Sequence, residues 1–418
     1  MKNKALTAIL VVALSCAAFA QIGPVPSGVR HLDHVFVIMM ENHGFSQILN
    51  NPNAPFLNSY AKSANLATNY YAIAHPSLTN YLEAVGASNF GVLSDNDPDF
   101  HNTACATNLS TGIPDTDSPA SPSICPIAGI GTDAATPAID FTNETSGPPG
   151  EVNIDGVKSY LANPNTVGIT IADQLVAANR TWKSYQESLP VSGPDWVTYS
   201  DGFFTNFTDF SLINPQLNPP LGQGDVVKLY AAKHNPFVYF ANIQEGHNRK
   251  LSYANVADFT RLYADLGSGN MPNYSFIAPN QCNDQHGRGN AGAFCNFDPS
   301  DDGSQAGLNP ALIYLGDVTV QRLVSAIHKS PAWRNGNNAI VVLWDENDYS
   351  LAPNNNRVMT IVDTNYGSHH QTSARFYTHF SLVKTIEAGF GLPCLNHACD
   401  ADTTVMSDLF GGHEARKK

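Results

Sequence analysis

His34-Val35-Phe36-Val37-Ile38-Met39-Met40 is a continuous apolar run that stops abruptly at Glu41-Asn42-His43-Gly44. A run of this length without polar alternation suits a strand buried on both faces, and such strands belong to parallel sheets covered by helices. Polar side chains crowded where a buried strand ends mark the edge at which open α/β sheets hold ligands. The pattern recurs along the chain. Tyr274 to Ala278 runs into Asn280-Gln281-Cys282-Asn283-Asp284-Gln285-His286, and Ala339 to Leu343 ends in Trp344-Asp345-Glu346-Asn347-Asp348. Phe237-Val238-Tyr239-Phe240 reads as another strand, preceded by Lys233-His234-Asn235-Pro236. Helices are predicted over 54–66, 171–179, 256–266, 317–328 and 380–388. The alternation predicts an α/β fold with a central, mostly parallel sheet flanked by helices and a polar site along one sheet edge.

His75-Pro76-Ser77-Leu78-Thr79-Asn80-Tyr81 leads into Leu82-Glu83-Ala84-Val85, which reads as a helix with Ser77 at or near its N-cap. A helix N-terminus offers unpaired N–H groups and partial positive charge, which suit a phosphate. A hydroxyl held there, with the Asn80 amide beside it, is placed to attack phosphorus. Taken alone, the same stretch is more often an ordinary N-cap serine on a surface helix. The oxygen donors Glu41, Asn42, Asp345 and Glu346 form the ligand set that hard divalent cations prefer, and Ser77 would complete it. Such a metal would lower the pKa of the Ser77 hydroxyl. Asn80 could donate to a non-bridging phosphoryl oxygen. His234 and His286 are candidates for binding phosphoryl oxygens or protonating the leaving group. His369, His370 and His379 are open between ligand and surface roles. The absence of GxSxG, Walker A and GxGxxG patterns disfavours α/β-hydrolase and nucleotide-dependent chemistry.

The chain has 418 residues, 43% of them hydrophobic and 14% charged, ample for a large core. Residues 1–20 read as a signal peptide. Lys2 and Lys4 form a basic start, an apolar stretch follows, and Ala18-Phe19-Ala20 offers a cleavage site. The mature chain, 21–418, reads as one domain with a loop-rich insertion at about 94–156 and no integral membrane segment. Export to the periplasm or the medium follows. Setting Cys16 aside leaves six cysteines, and pairing of nearest neighbours (105–125, 282–295, 394–399) is the simplest of the possible disulfide patterns. A zinc site is the rival reading, though no CxxC pair is present. The net charge of −14 argues against nucleic acid as a partner and leaves an anionic small substrate dependent on local positive charge.

Six short motifs, in order along the chain, resemble the phosphoesterase family of bacterial acid phosphatases and non-specific phospholipases C, within the alkaline-phosphatase-like superfamily. They are Glu41-Asn42-His43-Gly44-Phe45, Pro76-Ser77-Leu78-Thr79-Asn80, Lys233-His234-Asn235-Pro236-Phe237, Asp284-Gln285-His286, Trp344-Asp345-Glu346-Asn347-Asp348 and the Tyr377–Glu387 helix. Thr79 stands where the family usually has proline. The resemblance implies an alkaline-phosphatase-like α/β sandwich. It implies Ser77 as a phosphorylated nucleophile, a metal held by Glu41, Asn42, Asp345 and Glu346, and Asn80, His234 and His286 around the phosphoryl group. An exported, metal-dependent phosphomonoesterase acting on a small phosphorylated substrate is the expectation. The alternatives are a phospholipase C-type phosphodiesterase and a non-catalytic phospho-ligand-binding protein.

Overall fold

The computed structural model describes residues 22–98, 123–133, 158, 160–189, 229–288, 291–300, 303–347 and 356–411, with the backbone of 108–109 and 151–152. The expected signal peptide, Cys105, Asp348 and most of the expected insertion lie outside the described residues. Strand β1 (His34–Met40) is followed by helix α1 (Pro55–Ser63), strand β2 (Asn65–Ala67) and helix α2 (Ser77–Gly86). Next come α3 (Ile171–Ala177), β3 (Trp182–Gln186), β4 (Val256–Asp258), α4 (Phe259–Ser268) and β5 (Tyr274–Ala278). The chain continues through α5 (Pro310–Lys329), β6 (Asn338–Trp344), β7 (Thr360–Thr364), β8 (Thr372–Ser373) and α6 (His379–Phe390).

These strands make one eight-stranded sheet in the order β4-β3-β5-β1-β6-β7-β2-β8. The first five are mutually parallel, whereas β7 runs antiparallel to both β6 and β2. Every residue of β5, β6 and β7 is buried, so both faces of the central sheet are covered. The helices pack in two groups, α2 with α3 and α6, and α1 with α5 and α4. The expected α/β class with a mostly parallel, helix-flanked sheet is therefore borne out.

Two expected elements differ. Phe237-Val238-Tyr239-Phe240 is not a strand. Pro236–Tyr239 forms a 3-10 turn with proline in its first position, where the fixed φ and missing N–H suit a helical start. Four buried apolar residues cannot by themselves distinguish the two. Residues 256–266 divide between β4 and α4 because the Asp258 side chain caps the helix, accepting from Arg261 N at 2.9 Å. The other helices keep their expected places with shifted ends; α5 begins seven residues earlier, at Pro310, behind the Asn309 cap.

Cys282–Cys295 and Cys394–Cys399 are paired as expected. Cys125 is also disulfide-bonded; its expected partner Cys105 is outside the described residues. The Cys394–Cys399 loop presents His397, which is buried between two carboxylates. Its Nε2 lies 2.7 Å from Asp133 Oδ2 and its Nδ1 2.6 Å from Asp400 Oδ2. Burial disfavours the imidazolium, but Asp133 and Asp400 outweigh it and push His397 up to about 10. The contact fastens segment 123–133 to the C-terminal region. A raised folded-state pKa means this stabilisation is complete below the unfolded value of about 6.5 and is lost as pH climbs through 10. The melting temperature should fall between pH 7 and 10 in the unaltered protein. H397Q should start lower at pH 7 and decline less over the same interval in parallel thermal scans.

Candidate active site

Strand register assembles the site. β1 and β6 pair so that Met40 lies opposite Trp344, and Asp345 N donates to Met40 O at 3.0 Å. The next residues, Glu41 and Asp345, therefore leave adjacent strand ends together. Glu41 N donates to Asp284 O at 2.9 Å, which ties in the segment after β5. Asn42 turns the chain with φ of 58°, and its N–H donates to Asp345 Oδ1 at 3.1 Å. Glu41, Asp345 and Glu346 are buried, and one oxygen from each lies within 4.8 Å of the others.

Ser77 opens α2, one residue inside the Pro76 N-cap. Its Oγ donates to Glu346 Oε1 at 3.0 Å and has Glu41 Oε2 at 3.4 Å. Asn80 lies one turn on. Its Oδ1 accepts from Ile73 N at 3.0 Å and Ala74 N at 3.1 Å. Its Nδ2 donates to Ala74 O at 2.6 Å and Glu346 Oε2 at 3.1 Å. Both amide hydrogens are thus committed, and Asn80 fixes the turn before Ser77 and the Glu346 carboxylate.

His234 is clamped between carboxylates, with Nε2 2.6 Å from Glu41 Oε1 and Nδ1 3.3 Å from Asp284 Oδ2. Tyr81 of α2 stacks on its ring at 5.0 Å. Burial opposes its charge, but Glu41 and Asp284 push His234 up to about 10. Burial would raise Glu41 too, yet the His234 imidazolium carries it well below the usual carboxylate range. Asp345 and Glu346 go the other way, pushed up by burial and then by neighbouring carboxylates. His286 is half-buried, its ring centre 6.1 Å from that of His234, with Nδ1 3.0 Å from Gly287 O. Burial and the nearby Lys233 lower its pKa.

Residues 47–295 match the phosphoesterase family model. The chain belongs to the phosphoesterase family. The match bears out the resemblance drawn from the six motifs. The chain is 24% identical over 378 residues to the phosphate-repressible acid phosphatase of Penicillium chrysogenum, covering 90% of this chain and 63% of that protein. It is 24% identical over 416 residues to the phosphatidylinositol-3-phosphatase of Mycobacterium tuberculosis, covering 98% and 94%. It spans less than two thirds of the length of the Penicillium and Aspergillus fumigatus acid phosphatases, 63% and 62%. An alkaline phosphatase superfamily protein from Vibrio parahaemolyticus superposes with a TM-score of 0.42 at 13% identity, covering 90% of this chain and 70% of that one.

The structure brings Glu41, Asn42, Ser77, Asn80, His234, Asp345 and Glu346 together, with His286 beside them. His379 backs the cluster. Its Nε2 donates to Asp345 O at 2.7 Å, its Nδ1 faces Tyr70 OH at 3.1 Å, and burial lowers its pKa to about 4, so the ring is neutral. His369 and His370 instead face Asp363 and Lys62 O. Three residues were given no role in the sequence reading. Lys233 Nζ lies 3.3 Å from Ser77 Oγ and 2.8 Å from Asp95 Oδ2. His43 braces the Glu41 turn, with Nδ1 3.0 Å from Glu41 O and Nε2 3.0 Å from Asp298 Oδ2. The adjacency of Lys233 to His234 was the available signal for Lys233; for Asp95 there was none.

The cluster suits a hard divalent cation. All its donors are oxygens, and three buried carboxylates crowd together. Asn42 Oδ1 and Asp345 Oδ2 are buried with no hydrogen-bond partner, an arrangement that a cation would relieve. N80A would orphan the buried Ile73 and Ala74 N–H groups, and at about 1–2 kcal/mol each it should cost ~2–4 kcal/mol in urea unfolding.

Proposed function

We propose that this chain is an exported, metal-dependent phosphoric-ester hydrolase that works through a phosphoserine at Ser77 and prefers monoesters. The observation that carries the reading is the Ser77 hydroxyl at the start of α2, hydrogen-bonded at 3.0 Å to a carboxylate of a buried, cation-suited cluster. A solvated N-cap serine has no use for that company. Export is supported by the Cys282–Cys295 and Cys394–Cys399 disulfides. Among the described residues, no helix is long and apolar enough to cross a membrane. The monoester preference is supported by the relatives, an acid phosphatase from each of two fungi and a phosphatidylinositol-3-phosphatase.

In the first step Ser77 Oγ attacks phosphorus. The Oγ–P bond forms, the bond from phosphorus to the leaving oxygen breaks, and the hydroxyl proton passes to Glu346 Oε1, which already accepts it. Glu41, Asn42, Asp345 and Glu346, with Ser77, would hold the metal, which when bound supplies positive charge for the serine oxygen and the phosphoryl group. His234 keeps Glu41 ionised and oriented, because both its nitrogens face carboxylates. Asn80 holds Glu346 in place. His286, with Nδ1 turned to Gly287 O, has Nε2 left to protonate the leaving oxygen. In the second step the same nitrogen takes a proton from water as the bond from the water oxygen to phosphorus forms and the Oγ–P bond breaks, and Glu346 Oε1 returns its proton to Ser77 Oγ as phosphate leaves.

S77A should abolish release of p-nitrophenol from p-nitrophenyl phosphate, by at least about 1,000-fold, with an unchanged melting temperature. Retained turnover would sink the nucleophile. D345N and E346Q should lose bound divalent metal by elemental analysis together with activity. Faster turnover of p-nitrophenyl phosphorylcholine than of the monoester would transfer the chain to the phosphodiesterase side of its family. Hydrolysis of neither, with metals supplied, would leave a binding protein.

A further inference from the structure

We propose that Lys233 is a further catalytic residue, whose ammonium carries charge developing on Ser77 Oγ and the phosphoryl oxygens, and that Asp95 is its positioning residue. The proposal rests on Ser77 being the nucleophile.

Lys233 is not a loose surface lysine. It lies in a 3-10 turn, Ala232–His234, and its side chain is 13% exposed. The turn is fixed on both sides of it. His234 is held by Glu41 and Asp284, and Asn235 is held by Ser184, whose Oγ donates to Asn235 Oδ1 at 3.0 Å. Asn235 Nδ2 also donates to Tyr230 OH at 3.1 Å. The lysine stem therefore starts from a rigid base. At its far end, Asp95 joins the ammonium to the nucleophile's own helix. Asp95 Oδ2 accepts from Lys233 Nζ at 2.8 Å, and Oδ1 accepts from Leu78 N, the residue after Ser77, at 3.0 Å. One carboxylate thus sets where the cation stands relative to Ser77.

Donor accounting separates Lys233 from His234. Both His234 nitrogens face Glu41 and Asp284, so its charge is already matched within the protein. An ammonium has three hydrogens. Lys233 directs one to Ser77 Oγ and one to Asp95, which leaves one for a phosphoryl oxygen. Ser77 gives its own hydrogen to Glu346, so the ammonium meets the oxygen lone pair, where negative charge grows once the proton leaves.

The test measures p-nitrophenyl phosphate hydrolysis and calorimetric binding of inorganic phosphate for the unaltered protein, K233M, K233R, D95N and S77A. K233M should lose about 100-fold in kcat/KM, as expected for removing one preorganised donor, and its phosphate Kd should rise about 10-fold or more. Its melting temperature should stay within a few degrees of the parent. K233R should recover part of both losses, and D95N should lower kcat more than it raises KM. A K233M protein within threefold of the parent in both kcat/KM and phosphate Kd overturns the proposal, as does loss of activity explained by unfolding of K233M and K233R alike. S77A separates the two readings. If S77A is dead while K233M is unimpaired, only Lys233 falls; if S77A retains turnover, the nucleophile falls with it.

Discussion

Three carboxylates, Glu41, Asp345 and Glu346, are buried within reach of one another, and the site depends on how that crowding is balanced. Taking charge out of water is costly unless an opposite charge or hydrogen bonds accompany it. The protein answers in two ways. Glu41 receives a buried cation, His234, and stays ionised. Asp345 and Glu346 receive backbone and side-chain donors, from Asn42 N, Ser77 and Asn80, which fall short of full compensation. Their carboxyl groups are therefore pushed toward protonation. The shortfall is what makes the cluster receptive to a metal and to the proton of Ser77.

The balance is enforced from outside the cluster. His379, on α6, anchors the Asp345 carbonyl, and its pKa is low enough to keep it from adding charge. Tyr81, one residue after Asn80, stacks on His234, so α2 positions the Ser77 hydroxyl, an amide and the ring that neutralises Glu41. A single helix thereby sets three parts of the site, and parallel pairing of β1 with β6 sets two more.

Much of this was legible in the residues. The β1 and β6 runs are apolar throughout because both sheet faces are covered, and their polar ends read directly as a site. Pro76-Ser77 before an apolar helix read equally well. β7 was not legible as a strand, since Thr360 to Thr364 sits beyond a stretch of polar residues and its short apolar run is interrupted by Asp363. The Phe237 run was misread because its buried faces are satisfied by Trp182 and Phe276 packing instead of by strand pairing. Lys233 and Asp95 were hidden for another reason. Their meaning lies in a three-way contact in which Lys233 comes from 138 residues beyond Asp95 and 156 beyond Ser77, and no local spacing encodes it.

The left-handed backbone at Asn42 restricts the path by which this site can diversify. At a positive φ of 58°, glycine, asparagine and aspartate are the residues tolerated most cheaply. Glycine brings no side-chain oxygen. Aspartate brings one, with another negative charge beside three buried carboxylates. Asparagine alone among them supplies a neutral oxygen, so a descendant in which this cluster came to favour nitrogen or sulfur donors would have to rebuild the turn before it could change this side chain.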